Sequence, residues 1–130
     1  MGKELHLHGG GKTIRSFIHI DDVVEATNRI ALEGRVGQAY HIATNEIISI
    51  RELVMKICRL TNVRFSTFAQ ESKERLGQDQ AYLLDTTRIR EELCWTDKWD
   101  LEDGLKNTLE WIDENIDVLD SLPTEYEHRV

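Results

Sequence analysis

The stretch LHLHGGGKTIRSFIHIDDVVEATNRIALEG, residues 5–34, predicts a strand, a turn, a second strand and a helix in that order. Leucine and histidine alternate over residues 5–8, which is the pattern of a half-buried strand. Three consecutive glycines then indicate a turn, and residues 13–20 are rich in β-forming side chains. Apolar residues at helical spacing follow, and we expect Asp21 or Asp22 to cap the start of this helix with its carboxylate.

The next helix has the strongest local signal in the chain. Ser49 and Glu52 form an S-x-x-E capping box, and apolar residues follow at helical spacing from Ile50 to Leu60. The remaining expectations are strands over 38–43 and 63–68, a polar loop over 70–80, a short apolar run over 82–84, a helix capped by Thr86 or Thr87, and a last helix that starts after Asp100. Strands and helices therefore mix without a regular βαβ rhythm, and the expected fold class is a small α/β domain.

Composition and charge limit the classes of partner. The chain has 130 residues, of which 40% are hydrophobic, and a formal net charge of −8. This length and composition suit one folded domain. Residues 91–130 hold 13 acids against three bases, whereas residues 1–90 hold 11 acids against 13 bases. The overall charge argues against nucleic acid as the main partner, but the slightly basic first 90 residues are compatible with a small anionic ligand.

The sequence also indicates where the protein resides. No run approaches the roughly 18 apolar residues that a membrane-spanning helix needs, and no signal peptide follows Met1. The two cysteines, Cys58 and Cys94, form neither a C-x-x-C motif nor a disulfide framework. We therefore expect a cytoplasmic protein with no membrane partner.

Three common ligand-binding patterns are absent or incomplete. Gly11-Lys12-Thr13 lacks the glycine that a P-loop needs five residues before Gly11, since that position is His6. No G-x-G-x-x-G is present to hold a dinucleotide. His6 and His8, with His19, are compatible with a metal site, but histidines two apart on a strand are more typical of a solvent-facing edge. No metal and no cofactor are therefore predicted in this chain.

Two arginines beside glycine-containing turns are the best candidates for ligand contacts. Arg15 lies in a predicted strand just after the glycine turn, and Arg75 lies in a polar loop next to Gly77. A guanidinium presents a planar fork of donors that matches phosphate oxygens, and each such charge-assisted hydrogen bond contributes roughly 1.5–3 kcal/mol. The two arginines could clamp a diphosphate, or each could form a surface ion pair. The residues alone leave both interpretations open.

The order of motifs resembles the extended short-chain dehydrogenases that act on nucleotide sugars, the NAD-dependent epimerase/dehydratase family. The segment RSFIHIDDVVEA at 15–26 resembles R-D-F-x-H-V-D-D-V-x-x-A. Further matches are GQAYHI at 37–42 to G-E-x-Y-N-I-G, RLGQD at 75–79 to R-P-G-H-D, ELCW at 92–95 to E-L-G-W, and LEDGL at 101–105 with Trp111 to L-x-x-G-L-x-x-T-x-x-W. The resemblance runs from about Leu5 to Ile116 and is greatest to the 4,6-dehydratases, such as dTDP-glucose 4,6-dehydratase.

This resemblance implies a fold and a role. Residues 1–116 would form the small mixed α/β lobe that binds the nucleotide sugar, without the Rossmann half, and residues 117–130 would form an irregular tail. The parent enzyme would be an NAD-dependent lyase that oxidises C4 of the sugar, eliminates water across C5–C6 and returns the hydride at C6. The NAD loop and the Tyr-x-x-x-Lys pair of such enzymes are missing from the sequence. The resemblance therefore implies no catalytic or cofactor-binding residue here, and no turnover by this chain alone.

By position, the resemblance assigns six substrate-binding residues. Arg15 matches the arginine that contacts the nucleotide side of the substrate. Arg75 and Gln78 match the Arg and His of R-P-G-H-D, which reach the diphosphate. The others are His6 and His8, on the strand that runs along the nucleotide, and Ser49, which aligns with a ligand-contacting Asn although its S-x-x-E context favours capping.

Departures from the family pattern leave alternatives. His6 stands for a common Pro, His8 for a common Tyr and Gln78 for His. Both arginines remain, so a diphosphate ligand is expected while the base and sugar stay open. The alternatives are the same domain of a nucleotide-sugar 4-epimerase, or a stand-alone module that binds nucleotide sugar or protein. In the parent, Leu5, Leu7 and Ile18 would pack against the Rossmann domain, so the isolated domain is expected to self-associate.

Overall fold

The computed structural model describes residues 4–74, 77 and 79–123 and has the mixed α/β architecture that the sequence predicts. The strands are β1 Leu5–His8, β2 Ile14–Arg15, β3 Ile48–Ser49, β4 Ala69–Ser72 and β5 Ala81–Tyr82. The helices are α1 Ile20–Glu33, α2 Ile50–Leu60, α3 Phe65–Phe68, α4 Thr87–Leu93, α5 Leu101–Glu114 and α6 Ile116–Asp120, and a 3-10 turn spans Gly9–Gly11.

The strands form two small sheets joined by the glycine turn. Strand β1 runs parallel to β4. The second sheet has the order β3-β2-β5, with β2 antiparallel to β3 and parallel to β5. Arg15 lies in its central strand, opposite Ile48 on one side and Tyr82 on the other.

Two apolar clusters stabilise the domain. The first joins α1 to α4 and consists of Ala26, Ile89, Leu93 and Trp95, with Ile18, Ile30, Tyr40 and Ile42 packed against it. The second joins β1 to α2 and consists of Leu7, Val54 and Cys58, with Ile50, Phe65, Phe68 and Ala69 around it. The capping box predicted at α2 is confirmed, since the Ser49 side chain accepts from the Glu52 N–H and the Glu52 carboxylate accepts from the Ser49 N–H.

The prediction that an aspartate caps α1 is wrong. The helix begins at Ile20, and the N-cap is His19, whose Nδ1 accepts the backbone N–H of Asp21 at 3.3 Å. Asp22 is instead buried, with 2% of its surface exposed, and its carboxylate accepts the backbone N–H groups of Lys98 and Trp99. The Asp22 carboxylate, which the local pattern predicted as a helix cap, therefore binds backbone groups that lie far away in sequence.

The strand predicted over residues 63–68 is also wrong. Phe65 and Phe68 belong to a helical turn, which places side chains three residues apart on one side, and both contact the Leu7 cluster. Strand β4 begins at Ala69 and continues through residues 70–72, inside the stretch expected as a loop. Residues 117–120, expected as the start of an irregular tail, lie in α6, which follows the end of α5 at Glu114.

The strand predicted over residues 38–43 is wrong, since this segment pairs with no other strand among the described residues. Tyr40 and Ile42 point one way, into the first apolar cluster, as alternate residues of a strand do. The carbonyls of Ala39 and Ala43 accept hydrogen bonds from the side chains of Arg88 and Arg90. This segment is therefore strand-like only in the alternation of its side chains, and it forms no ladder.

The apolar face expected to meet a Rossmann domain is partly used inside the domain. Leu7 is 3% exposed and offers no free surface, whereas Ile18 packs on the first cluster and is half-buried. Leu5 is 36% exposed. Within the part of the chain that the structure describes, no helix has the length and apolar character needed to cross a bilayer, and no three metal-ligating side chains gather.

Candidate functional site

Arg15 is held by backbone carbonyls on two segments. Its Nη1 donates to the Ile14 carbonyl at 2.7 Å and its Nη2 donates to the Asp79 carbonyl at 3.0 Å. The backbone N–H of Ile14 also donates to the Gln80 carbonyl at 2.8 Å. These contacts fix the guanidinium at the point where the segment before β5 joins β2.

The charge of Arg15 is not neutralised by any carboxylate within ion-pair distance among residues 4–74, 77 and 79–123. Arg51 and Arg90, in contrast, each lie 2.6 Å from a carboxylate, of Glu71 and Asp97 respectively. A guanidinium has five N–H donors, and two are used here. The remaining three donors are available to an anionic ligand. Among the described residues, Arg15 therefore does not form the surface ion pair that was the alternative interpretation of the sequence.

His8 has an oriented ring at the end of β1. Its Nδ1 lies 3.3 Å from the Lys73 carbonyl oxygen and 3.1 Å from the Ser72 hydroxyl oxygen. A carbonyl only accepts, so Nδ1 carries the hydrogen and the neutral ring keeps its lone pair at Nε2. His6 is exposed on the same strand, opposite Gln70.

The glycine turn forms one wall of a small polar depression. Its volume is about 80 Å³, and it is lined by His8, Gly9, Lys12, Thr13, Glu74 and Gln80. Gly11 has φ of 70°, and a Cβ there would lie 3.0 Å from the Arg51 backbone nitrogen, so the close approach of this turn to α2 requires glycine. Lys12 follows directly and reaches the depression. Sequence reasoning treated it only as part of a failed P-loop, although a lysine after three glycines was the signal available.

Ser49 is engaged in its own helix. Its hydroxyl donates to Glu52 Oε2 at 2.6 Å and accepts from the Glu52 N–H at 3.2 Å. The hydrogen bonds that the Glu52 carboxylate accepts, from the Ser49 hydroxyl first and then from the Ser49 backbone N–H, lower the pKa of Glu52. Ser49 lies opposite Ile14, one residue from Arg15 in register, but its hydroxyl serves the helix cap.

Of the predicted site residues that the structure describes, only His8 lines the polar depression. His8 and Lys12 line the same depression as Gln80. The Gln80 carbonyl accepts the backbone N–H of Ile14, the residue before Arg15 in β2. His6 lies two residues before His8 on the same exposed face of β1, outside the depression. Arg75 and Gln78 lie outside the described residues.

A larger groove lies elsewhere, beside α5. It has a volume of about 180 Å³, and its lining includes Phe17, Trp99, Leu101 and Leu105. His19 stacks on Trp99 with ring centroids 4.1 Å apart. No lysine or arginine lines it, so its chemistry does not suit a diphosphate, and the polar depression near Arg15 does.

Comparison with known proteins identifies a family that matches most of the chain. The sequence model of the GDP-mannose 4,6 dehydratase family matches residues 1–108. A trifunctional UDP-glucose 4,6-dehydratase/UDP-4-keto-6-deoxy-D-glucose 3,5-epimerase/UDP-4-keto-L-rhamnose-reductase from Arabidopsis thaliana is 32% identical over 114 residues, covering 88% of this chain and 17% of that protein. The dTDP-glucose 4,6-dehydratase of Haemophilus influenzae is 33% identical over 124 residues, covering 85% of this chain and 36% of that protein.

Solved structures give the same picture. The dTDP-glucose 4,6-dehydratase of Bacillus anthracis, in complex with NAD, has a TM-score of 0.81 at 28% identity over 89% of this chain. The UDP-glucose 4-epimerase of Thermotoga maritima, with UDP-glucose, has a TM-score of 0.79 at 29% identity over 88% of this chain. This chain covers 36% of each of those chains.

The chain thus spans roughly a third or less of the relatives it matches, and it corresponds to the C-terminal portion of the dehydratase structures. The match of the family model over residues 1–108 covers both sheets, both apolar clusters and the Arg15 region. The chain therefore belongs to the GDP-mannose 4,6 dehydratase family, within the extended short-chain dehydrogenases.

Proposed function

We propose that this chain is the substrate-binding part of an NAD-dependent nucleotide-sugar 4,6-dehydratase and that it holds the nucleotide diphosphate at Arg15. The observation that carries the proposal is the guanidinium of Arg15, which the carbonyls of Ile14 and Asp79 fix and which no carboxylate among the described residues pairs with. The neighbouring residues Thr13 and Gln80 line the polar depression. A positioned guanidinium binds phosphate oxygens in two parallel hydrogen bonds. His8 supplies a hydrogen-bond acceptor at Nε2 for the nucleoside.

The residues present do not fit NAD itself. The Gly9–Gly11 turn is followed by strand β2, whereas a dinucleotide pyrophosphate needs a glycine turn that opens a helix. The 130 residues also contain no Tyr-x-x-x-Lys pair. We therefore assign NAD binding and the chemical steps to the Rossmann part of the parent enzyme, as the NAD complex of the Bacillus anthracis relative suggests. This chain contributes orientation of the sugar through its grip on the diphosphate.

The strand-like segment 38–43 supports a Rossmann partner. Its inward side chains, Tyr40 and Ile42, are already packed, but its backbone forms no ladder within the described part of the chain. Unpaired backbone groups of an extended segment are satisfied by water or by another strand. In the parent enzyme, we place this segment at the edge of the sheet that the Rossmann part supplies.

A 4-epimerase parent is the second candidate. It is favoured by the Thermotoga maritima UDP-glucose 4-epimerase, whose similarity to this chain nearly equals that of the dehydratases. Both candidates require a bound nucleotide diphosphate, so Arg15 has the same role in each. An assay of the parent enzyme distinguishes them: a 4-keto-6-deoxy product indicates the dehydratase, and a C4-inverted sugar indicates the epimerase.

Calorimetry with UDP-glucose and dTDP-glucose tests the proposal. We expect saturable binding to the wild type, and Arg15→Gln should raise Kd by at least about tenfold because it removes charge-assisted hydrogen bonds. Arg15→Lys keeps the charge and should retain part of the affinity. Arg59→Gln on α2 removes the same charge at an exposed site and should leave Kd unchanged. Circular dichroism checks that each variant is folded.

Two results would contradict the proposal. One is the absence of heat with either nucleotide sugar for folded wild-type protein. The other is equal loss of affinity in Arg15→Gln and Arg59→Gln, which would indicate nonspecific attraction rather than a site.

A further inference from the structure

Lys12 carries a second positive charge with no carboxylate partner. It is exposed, and no described residue forms an ion pair with it. Lys98 and Lys106 are paired, with Lys98 Nζ 2.7 Å from Glu25 Oε2 and Lys106 Nζ 3.1 Å from Glu102 Oε1, whereas Lys56 and Lys73 form no ion pair among the described residues and do not line the depression. The charge of Lys12 is therefore available at the depression that it lines.

The backbone on both sides of Lys12 is anchored. Gly11 before it packs against the Arg51 backbone, with space only for hydrogen at its Cα. Thr13 after it accepts the backbone N–H of Ile50 at 3.0 Å. The Gly10 carbonyl also accepts from Arg51 Nη1 at 3.4 Å. Since the start of its side chain is fixed, Lys12 loses less freedom on binding a ligand than a lysine on a mobile loop.

The other groups around the depression limit what it binds. Its charged or titratable lining residues are His8, Lys12 and Glu74. Glu74 packs over Gly9, with its Cγ 3.5 Å from the position of a Cβ there. The Glu74 carboxylate opposes the approach of an anion, so Lys12 is needed to offset it. A ligand long enough to contact Arg15 as well as Lys12 is attracted by two positive charges instead of one.

We propose that Lys12 is a specificity-determining residue that selects nucleoside diphosphates over monophosphates, with its ammonium on one phosphate and the guanidinium of Arg15 on the other. This inference rests on the proposed function, because it assigns the charge requirement of the same site. It adds a residue that neither the sequence motifs nor the six predicted site residues include. The negative charge of Glu74 weakens the binding of a monophosphate, which has no second phosphate to contact the other cation.

The test compares Kd values of UDP and UMP by calorimetry for the full 130-residue chain. In Lys12→Gln, we expect the preference for UDP over UMP to fall by about tenfold, the effect of one charge-assisted hydrogen bond. Lys12→Arg should restore most of the preference. Lys56→Gln on α2 removes the same charge elsewhere and should leave it unchanged. Glu74→Gln should tighten UDP, since it removes a repulsive carboxylate.

The outcomes separate the two proposals. If wild-type protein binds neither UDP nor UDP-glucose, the proposed function fails and this inference fails with it. If wild type binds UDP but Lys12→Gln keeps the wild-type preference over UMP, only the role of Lys12 is overturned. Equal weakening of UDP and UMP in Lys12→Gln would also overturn it, because that result indicates general attraction rather than selection.

Discussion

The carboxylate of Asp22 accepts the backbone N–H of Trp99 at 3.1 Å and joins the start of α1 to the segment that leads into α5. The same carboxylate accepts the N–H of Lys98 at 3.0 Å. Both bonds are made by a side chain that is 2% exposed, so water cannot replace either partner when one is lost. Asp22 therefore holds together two parts of the chain that lie far apart in sequence.

We predict that Asp22→Ala lowers the free energy of unfolding by about 2–4 kcal/mol, since it leaves two backbone donors unpaired. The matched control is Asp21→Ala, at an exposed carboxylate in the same helical turn. It should cost less than about 1 kcal/mol. Urea denaturation measures both. An equal loss of unfolding free energy in the two variants would contradict this account. It would show that the hydrogen bonds of Asp22 stabilise the protein no more than a negative charge at the start of α1 does.

Cys94 ends α4 in the left-handed conformation, with φ of 49° and ψ of 32°. A side chain there costs roughly 1–2 kcal/mol relative to glycine, part of which is offset by the greater freedom of glycine in the unfolded chain. We predict that Cys94→Gly stabilises the protein by about 0.5–1 kcal/mol. Cys94→Ala keeps the Cβ and should be close to wild type in thermal unfolding. A Cys94→Gly variant less stable than Cys94→Ala would contradict this account.

Asp97 makes stability depend on acid pH. Partial burial acts to raise the pKa of its carboxyl, but the hydrogen bond from Arg90 at 2.6 Å and the Arg90 charge outweigh burial and hold the pKa below the ordinary 3.8. A depressed pKa in the folded state stabilises the protein above the ordinary value. This contribution is lost as pH falls through the lower folded-state value.

We predict that Asp97→Asn lowers the urea midpoint at about pH 5 and reduces its further fall between about pH 4 and pH 2.5. Asp120→Asn, at an exposed carboxylate, should follow the wild-type pH dependence. If Asp97→Asn and wild type lose stability in parallel as the solution is acidified, the Arg90–Asp97 pair is not the source of the loss of stability at acid pH.

The strand-like segment 38–43 predicts a pattern of hydrogen exchange. Its backbone N–H groups have no ladder partner in the described part of the chain, so we expect them to exchange much faster than those of α2 in the isolated domain. Addition of the Rossmann part of the parent should slow them. Mass-spectrometric exchange of this segment measures both states. Protection equal to α2 in the isolated domain would contradict the open edge.

Local signals predicted α2 correctly because Ser49, Glu52 and the apolar stripe all act within one helix. They failed at α1, where Asp21 and Asp22 satisfy the usual capping pattern but His19 is the cap. The carboxylate of Asp22 is decided by N–H groups 76 and 77 residues away, which no local pattern contains. The strand predicted through Phe65 and Phe68 failed in the same way, since contact with the Leu7 cluster favours a turn of helix over the β propensity of phenylalanine.

The candidate site was predictable where a residue's neighbours in sequence are also its neighbours in space. Arg15 follows the glycine turn, and its position indicated a ligand contact. The depression that joins Lys12 to His8 depends on the pairing of β1 with β4, which brings Glu74 beside the glycine turn. That pairing spans more than sixty residues, so spacing alone could not associate Lys12 with the site.

The most direct test of the central claim is an amide chemical-shift titration of the 15N-labelled chain with UDP-glucose. Binding of the diphosphate at Arg15 predicts saturable shifts at residues 8–15 and 79–82, with no comparable change along the groove beside α5. Arg15→Gln should abolish these shifts at the same ligand concentration while the rest of the spectrum stays folded. Saturable shifts confined to the α5 groove, or none at all, would contradict the account.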